Sequence, residues 1–226
     1  MGKVFLRGML ASEHAATPHT LAMLATEAKP PSSLYTTPGI FWWSMFDSVD
    51  GYTPTVTGSA SISAGAGGVS MATGTTSGST GYFSKTPGAL LATATWAKVR
   101  RLKTKVYFGQ VTNQDFWVVS GDIGTLRHVG FKVVNATLYG TVADGTTEAT
   151  LSIETLTGTP TRMLEVVFTP GVEARFYVDG VDKGTITTNL PSGTAIAEYL
   201  FKVQFDNTAA ENKIFSISEA MVLQEP

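Results

Sequence analysis

Hydrophobic and polar positions alternate with a period of two over most of this chain. The cleanest run is Met163–Gly184, where Leu164, Val166 and Phe168 alternate with polar neighbours, and Ala174, Phe176 and Val178 do so again. Pro170-Gly171 and Asp179-Gly180 punctuate the run. Alternation broken by Pro-Gly and Asp-Gly predicts three antiparallel strands joined by tight turns. Phe176 and Val178 then face a core, with Arg175 and Tyr177 on the other side.

The same period recurs along the chain. Ile40–Asp47 is a dense aromatic strand, and Phe116–Ser120 a short apolar one. His128–Asn135 places Val129, Phe131 and Val133 on one face, and Ala136–Val142, Glu148–Ile153, Ala197–Phe205 and Lys213–Leu223 continue the pattern. Ser59–Gly81 has a linker-like Gly/Ser/Thr composition, but S-I-S, G-V-S-M and G-Y-F recur between turn residues, which predicts short strands with Gly-rich turns. Leu90–Val106 sets Trp96, Val99 and Leu102 among basic residues before a strand over Val106–Val111. So many short strands, with no convincing helix after residue 38, predict an all-β antiparallel sandwich or barrel.

Residues 1–38 break the pattern. Ser12–Ala28 is Ala-rich with helical character, Pro18 suits a first turn capped by Thr17, and Lys29-Pro-Pro-Ser-Ser stops any helix. We read 1–38 as an N-terminal arm and linker and 39–226 as one domain.

Composition narrows the function classes. Charged residues are 15% of the chain, against roughly 25% in an average soluble domain. Thr and Ser cover exposed strand faces instead. A net charge of −2 gives no global basic field for nucleic acid. With no cysteine there is no disulfide scaffold and no thiolate chemistry. The N-terminus shows no apolar signal-peptide core, and no apolar run is long enough to span a bilayer.

Candidate chemistry is sparse. His14 and His19 stand five residues apart in the arm, without the partners of a zinc site. His128 begins a strand and reads as a sheet-end residue. Glu148, Glu154, Glu165 and Glu173 are each isolated in the sequence. Calcium needs several oxygen ligands, and Asp47, Asp50 and Asp206, the last beside Asn207, are the available acidic loop positions. Turn formation explains them as well, so we expect no catalytic residue, no metal and no cofactor, with calcium as the one exception to test.

Lys98, Arg100, Arg101, Lys103 and Lys105 hold five of the sixteen positive charges within eight residues. They suit a charged edge strand that resists aggregation, or a contact for phosphate, acidic glycan or an acidic subunit. The edge strand is the simpler reading. Among the aromatics, Trp42, Trp43, Tyr52, Trp96, Trp117 and Tyr139 offer rings that could stack on a sugar, although burial is the usual fate of such residues. We carry Trp42, Trp43, Tyr52 and Trp117 forward with the basic cluster as contact residues.

The order of these pieces resembles a known family. F-D-S-V-D-G-Y (Phe46–Tyr52) is followed by a Gly/Ser-rich region and then by H-V-G-F-K-V-V-N-A-T-L-Y-G-T-V (His128–Val142). Next come L-E-V-V-F-T-P-G-V-E-A-R-F-Y-V-D-G (Leu164–Gly180) and I-F-S-I-S-E-A-M-V-L (Ile214–Leu223). Over residues 40–225 this resembles the concanavalin A-like, or laminin-G-like, jelly-roll sandwich. The resemblance implies two curved sheets with the first and last strands as neighbours. Hydrolases of that fold carry E-x-D-x-x-E on one strand, which this chain lacks. An arm, one sandwich, no cysteine and low charge resemble tailed-phage capsid decoration and tail or fibre proteins. The expectation is therefore a non-enzymatic virion structural protein. It would be attached through its arm to other virion proteins and be homo-oligomeric, such as a trimer, with no nucleic acid bound and no membrane insertion. A glycan-binding adhesin module is the alternative, and a glycoside hydrolase or lyase the third reading.

Overall fold

The alternation read from the sequence becomes strands almost everywhere. The structure, a computed structural model, describes residues 40–44, 52–65, 68–86, 94–193 and 199–225, with the backbone alone at 40–43 and 53. Fifteen strands form among them, and no helix. The first five are β1 (Ile40–Ser44), β2 (Thr53–Val56), β3 (Ser61–Gly65), β4 (Gly68–Ala72) and β5 (Thr80–Lys85). Next come β6 (Arg100–Phe108), β7 (Gln114–Gly121), β8 (His128–Val134), β9 (Thr137–Ala143) and β10 (Glu148–Thr155). The last are β11 (Thr161–Thr169), β12 (Glu173–Val178), β13 (Val181–Ile186), β14 (Phe201–Asn207) and β15 (Ile214–Gln224). The sandwich belongs to the compact unit Gly39–Pro226. The expected arm and linker, residues 1–38, lie outside the described residues.

The strands form two antiparallel sheets packed as a jelly-roll-type sandwich. One runs β13-β12-β11-β6-β15-β4-β3, with β1 also pairing β15, for eight strands. The other, of seven strands, runs β10-β9-β8-β7-β14-β5-β2. The first and last strands are neighbours, Trp42 standing opposite Val222 in the register.

Turn chemistry sets the hairpins. Thr169–Val172 closes with Val172 N donating to the Thr169 carbonyl at 3.1 Å, and Gly171 takes φ 67°. That is the type II turn Pro-Gly favours. Asp179 (φ 52°) and Gly180 (φ 78°) both enter the left-handed region, as the two-residue hairpin turn between β12 and β13 requires. Asn135 (φ 46°) and Ala136 (φ 66°) do the same between β8 and β9. Ala136 carries a Cβ into this region, and its carbonyl is tied down by Leu156 N at 2.7 Å.

Inward parity fills the core with rings from both sheets. Phe131 on β8 packs edge-on to Phe176 on β12, with centroids 5.5 Å apart. Phe116 on β7 meets Phe108 on β6 at 5.5 Å and Phe215 on β15 at 4.7 Å. Such pairs add roughly 0.5–1.5 kcal/mol each beyond area burial. Phe176 and Val178 face this core while Arg175 and Tyr177 face outward, as the alternation predicted.

The basic cluster corrects an expectation. β6 is not an edge strand: it lies between β11 and β15 in the middle of its sheet. Its nine residues alternate strictly between buried and open positions. Arg100 therefore points inward with Leu102, while Arg101, Lys103 and Lys105 share the outer face. The strand is anchored centrally by non-local pairing, so its charges protect no edge.

Candidate functional site

The expected contact residue Arg100 and the aromatic candidate Trp96 are removed from consideration by burial. Arg100 is 1% exposed. Its Nη2 donates to the Thr95 carbonyl at 2.9 Å and to Gln224 Oε1 at 2.6 Å, and its Nη1 to Ser120 Oγ at 3.1 Å. The guanidinium lies 4.4 Å from the Trp96 ring centroid. Burial pushes its pKa down to about 9. Trp96 is itself fully buried and edge-on to Phe168. Tyr52 packs edge-on to Phe83 at 5.8 Å, with Lys85 over its ring. Arg100 and Trp96 serve the interior, whereas Tyr52 is half-buried and packs against the core from its margin.

The rest of the basic cluster lies on the outer face of the eight-stranded sheet. Arg101 Nε donates to Glu165 Oε1 at 2.6 Å, so Glu165 is a cross-strand partner and not an isolated solvated residue. Lys105 is exposed, and Lys98 sits in the turn before β6. Trp42 and Trp43 lie on β1 of this same sheet, at register positions opposite Val222 and Met221; their side chains are outside the described residues. Asp47 and Asp50 are outside them as well.

The seven-stranded sheet has the more organised outer face. Its registers align one row across the strands: Thr55 (β2), Tyr82 (β5), Gln204 (β14), Trp117 (β7), Lys132 (β8), Tyr139 (β9) and Ser152 (β10). Tyr82, Gln204, Trp117, Lys132 and Tyr139 have outward parity, because their neighbours Phe83, Val203, Phe116, Phe131 and Leu138 belong to the core. Tyr82, Trp117 and Tyr139 thus stand on every second strand. With strands about 4.8 Å apart, successive rings are about 10 Å apart. All three are half-buried.

Glycines on the core side set the height of this row. Gly81 precedes Tyr82, and a Cβ there would stand 2.4 Å from Phe205 Cζ. Gly140 follows Tyr139, and a Cβ there would stand 2.6 Å from Phe176 Cδ1. Each glycine admits a core ring against the strand that carries a surface tyrosine.

Polar groups complete the face. Lys202 Nζ pairs with Asp122 Oδ1 at 2.5 Å and lies over the rings of Tyr82 and Tyr199, at 4.8 and 5.1 Å. Lys132 Nζ pairs with Glu148 Oε2 at 2.6 Å. Glu148 Oε1 accepts from the Thr141 hydroxyl at 2.7 Å, and Thr141 Oγ1 lies 2.9 Å from His128 Nε2. Glu148 is thus the hub of a network, not the isolated residue the sequence suggested. His128 starts β8 as expected and is fully buried, with Nδ1 donating to the Leu126 carbonyl at 2.8 Å. Burial pushes its pKa down, against upward pulls from the Leu126 carbonyl and Glu148.

Asp206, the third calcium candidate, stands opposite Asp115 in the β14–β7 register. Burial raises both carboxyl pKa values, and the Asp206 charge raises that of Asp115 further. Asn207 turns inward and donates from Nδ2 to the Gly74, Thr76 and Glu211 carbonyls at 3.1, 3.2 and 3.1 Å, so it ties loops together. Among the described residues no three His, Asp or Glu side chains gather as a metal cage needs. Of the expected contact residues, Trp117 alone lies in the row. Tyr139 is among the aromatic candidates of the sequence, whereas no local pattern marks Tyr82, Gln204, Lys132 or Asp115. Their outward parity could be read within each strand, but their alignment depends on register between strands far apart in sequence.

No protein-family model matches the chain, and no curated protein matches it. Solved structures do. A protein of unknown function from Shewanella oneidensis aligns with a TM-score of 0.55 at 14% identity, covering 95% of this chain and 97% of that one. Botulinum neurotoxin type C, whose passage into cells depends on interaction with two ganglioside molecules, aligns at 0.51 with 8% identity, covering 76% of this chain and 42% of that one. The binding domain of Paraclostridial mosquitocidal protein 1 aligns at 0.54 with 8% identity, covering 76% and 44%. This chain spans less than half the length of those two toxin chains. At these identities the likeness is one of fold: an all-β sandwich shared with toxin binding domains.

Proposed function

We propose that this protein is a non-enzymatic glycan-binding module and that its platform is the outer face of the seven-stranded sheet. The observation that carries this reading is the row Tyr82–Gln204–Trp117–Lys132–Tyr139, with aromatic rings on alternate strands and hydrogen-bonding side chains between them. Flat rings suit the apolar faces of sugars, and the intervening amide and amine suit their hydroxyls. Rings held at their base by strand neighbours lose little freedom on binding. The fold shared with toxin binding domains, one of them linked to gangliosides, supports the same reading. So does the absence of an E-x-D-x-x-E run from the sequence.

The test is an oligosaccharide array followed by calorimetric titration of the best ligand. Trp117→Ala should weaken binding at least 10-fold, about 1.4 kcal/mol, while Trp117→Phe retains most of it. An affinity unchanged in Trp117→Ala overturns the platform, and release of reducing sugar overturns the non-enzymatic reading. The arm-plus-sandwich pattern of the sequence supports carriage of this module on a phage particle as an oligomer; co-sedimentation of the full chain with particles tests that separately.

A further inference from the structure

The charges of the proposed platform are unevenly partnered. Both lysines near the aromatic row are engaged: Lys132 by Glu148 at 2.6 Å and Lys202 by Asp122 at 2.5 Å. Asp115 and Asp206 are not. Among the described residues neither has a Lys, Arg or His nitrogen within ion-pair distance. Asp206 receives only the Gln204 amide, at 3.2 and 3.5 Å. The face therefore holds four carboxylates against two amines: Lys132 and Lys202 act on Asp115 and Asp206 only at longer range, being paired with Glu148 and Asp122, so the ionised face carries an excess of two negative charges.

Those two charges are close to the central ring. Asp115 lies two residues from Trp117 on β7, on the same face, which places it about 7 Å along the strand. Asp206 stands directly across from Asp115 and two residues from Gln204. A sugar stacked on Trp117 would direct its substituents on that side toward both carboxylates. A cationic substituent would relieve their mutual repulsion, and an anionic one would add a third charge to it. Burial is the larger cause of the raised pKa values of both carboxyls, and for Asp115 the Asp206 charge adds to it.

Resting on the platform reading, we propose that this face selects glycans that carry protonated amino groups over glycans that carry carboxylates. The partner chemistry is a glucosamine-type sugar with its amine free. An N-acetylated sugar takes the same stacking place without the charge, and a sialylated one is disfavoured.

The test titrates the full chain with three probes: a glucosamine oligomer, the N-acetylglucosamine oligomer of equal length, and sialyllactose. The titrations run from mildly acidic to neutral pH, because the amine is most charged at the acidic end and Asp115 and Asp206, with raised pKa values, are most ionised at the neutral end. The glucosamine oligomer should bind at least 10-fold more tightly than the N-acetylated one. That ratio should fall as salt rises, because the discrimination is electrostatic. Asp115→Asn with Asp206→Asn should bring the ratio toward one, and the salt series on the unaltered protein decides the matter should that variant not fold. Equal binding of the two oligomers, or preference for sialyllactose, overturns the inference and leaves the platform standing. Loss of amine preference on adding EDTA also overturns it, since a bridging cation then supplies the contact. Failure of every glycan, with Trp117→Ala indifferent, overturns the platform and the inference together.

Discussion

Replacing Gly140 by alanine tests how the core fixes the outer face. Gly140 has inward parity on β9, and a Cβ there would stand 2.6 Å from Cδ1 and 2.7 Å from Cε1 and Cγ of Phe176, where ordinary contact begins at 3.4 Å. The ring would have to retreat by roughly 0.8 Å. It has no room to do so, being fully buried and edge-on to Phe131. Overpacking of this kind costs about 1–3 kcal/mol. Alanine would recover roughly 0.5–1 kcal/mol of backbone entropy, since Gly140 is not in the left-handed region. Taken at the centres of these ranges the net loss is about 1 kcal/mol, or ~2–4 °C in Tm for a domain of this size. Calorimetric unfolding of Gly140→Ala measures it. Gly65→Ala is the control: its Cβ would meet nothing within 4 Å, so its Tm should stay put or rise slightly. Phe176→Leu shortens the opposing ring, and a double-mutant cycle should show coupling of about 1 kcal/mol or more. If Gly140→Ala is as stable as the unaltered protein, or if Phe176→Leu leaves its cost unchanged, the packing argument fails.

Three further outcomes are expected. Asp115 and Asp206 have raised pKa values, so the folded state binds their protons more tightly than the unfolded chain does. Their strain is present above the folded values and is relieved as pH falls through them, so Asp115→Asn should raise Tm at neutral pH by a margin that shrinks on acidification; a margin constant with pH would contradict this. Asn207→Ala removes the amide that binds three loop carbonyls and should cost ~2–4 kcal/mol in urea unfolding, with a loss under 1 kcal/mol counting against it. Thr141→Val keeps the volume but strips the hydroxyl from buried His128 and from Glu148, and should cost ~1–3 kcal/mol by the same measurement.

How much of this was legible in the sequence depended on whether the information was local. The β11–β13 meander was readable residue by residue, because alternation and turn residues lie within one short segment and its pairings join adjacent strands. β6 was misread for the complementary reason. Its alternation was visible, but its central place comes from Leu102 pairing with Val166 on one side and Val222 on the other, and a local run of lysines and arginines carries no trace of either. The candidate site is more extreme. Its row takes one residue from each of seven strands, and shifting any of them by a single position would turn that side chain into the core. Trp117 was found because tryptophan draws notice by type. Tyr82 and Gln204 could not be, since they join it only through β14, which inserts between β5 and β7 from more than eighty residues further along the chain. The glycines were the one local clue. Gly81 beside Tyr82 and Gly140 beside Tyr139 are small residues at core-facing positions, where a strand ordinarily places bulk. A core-side glycine next to an outward tyrosine means that something packs closely beneath the strand, and here the close-packed side of each strand is the one that supports the platform.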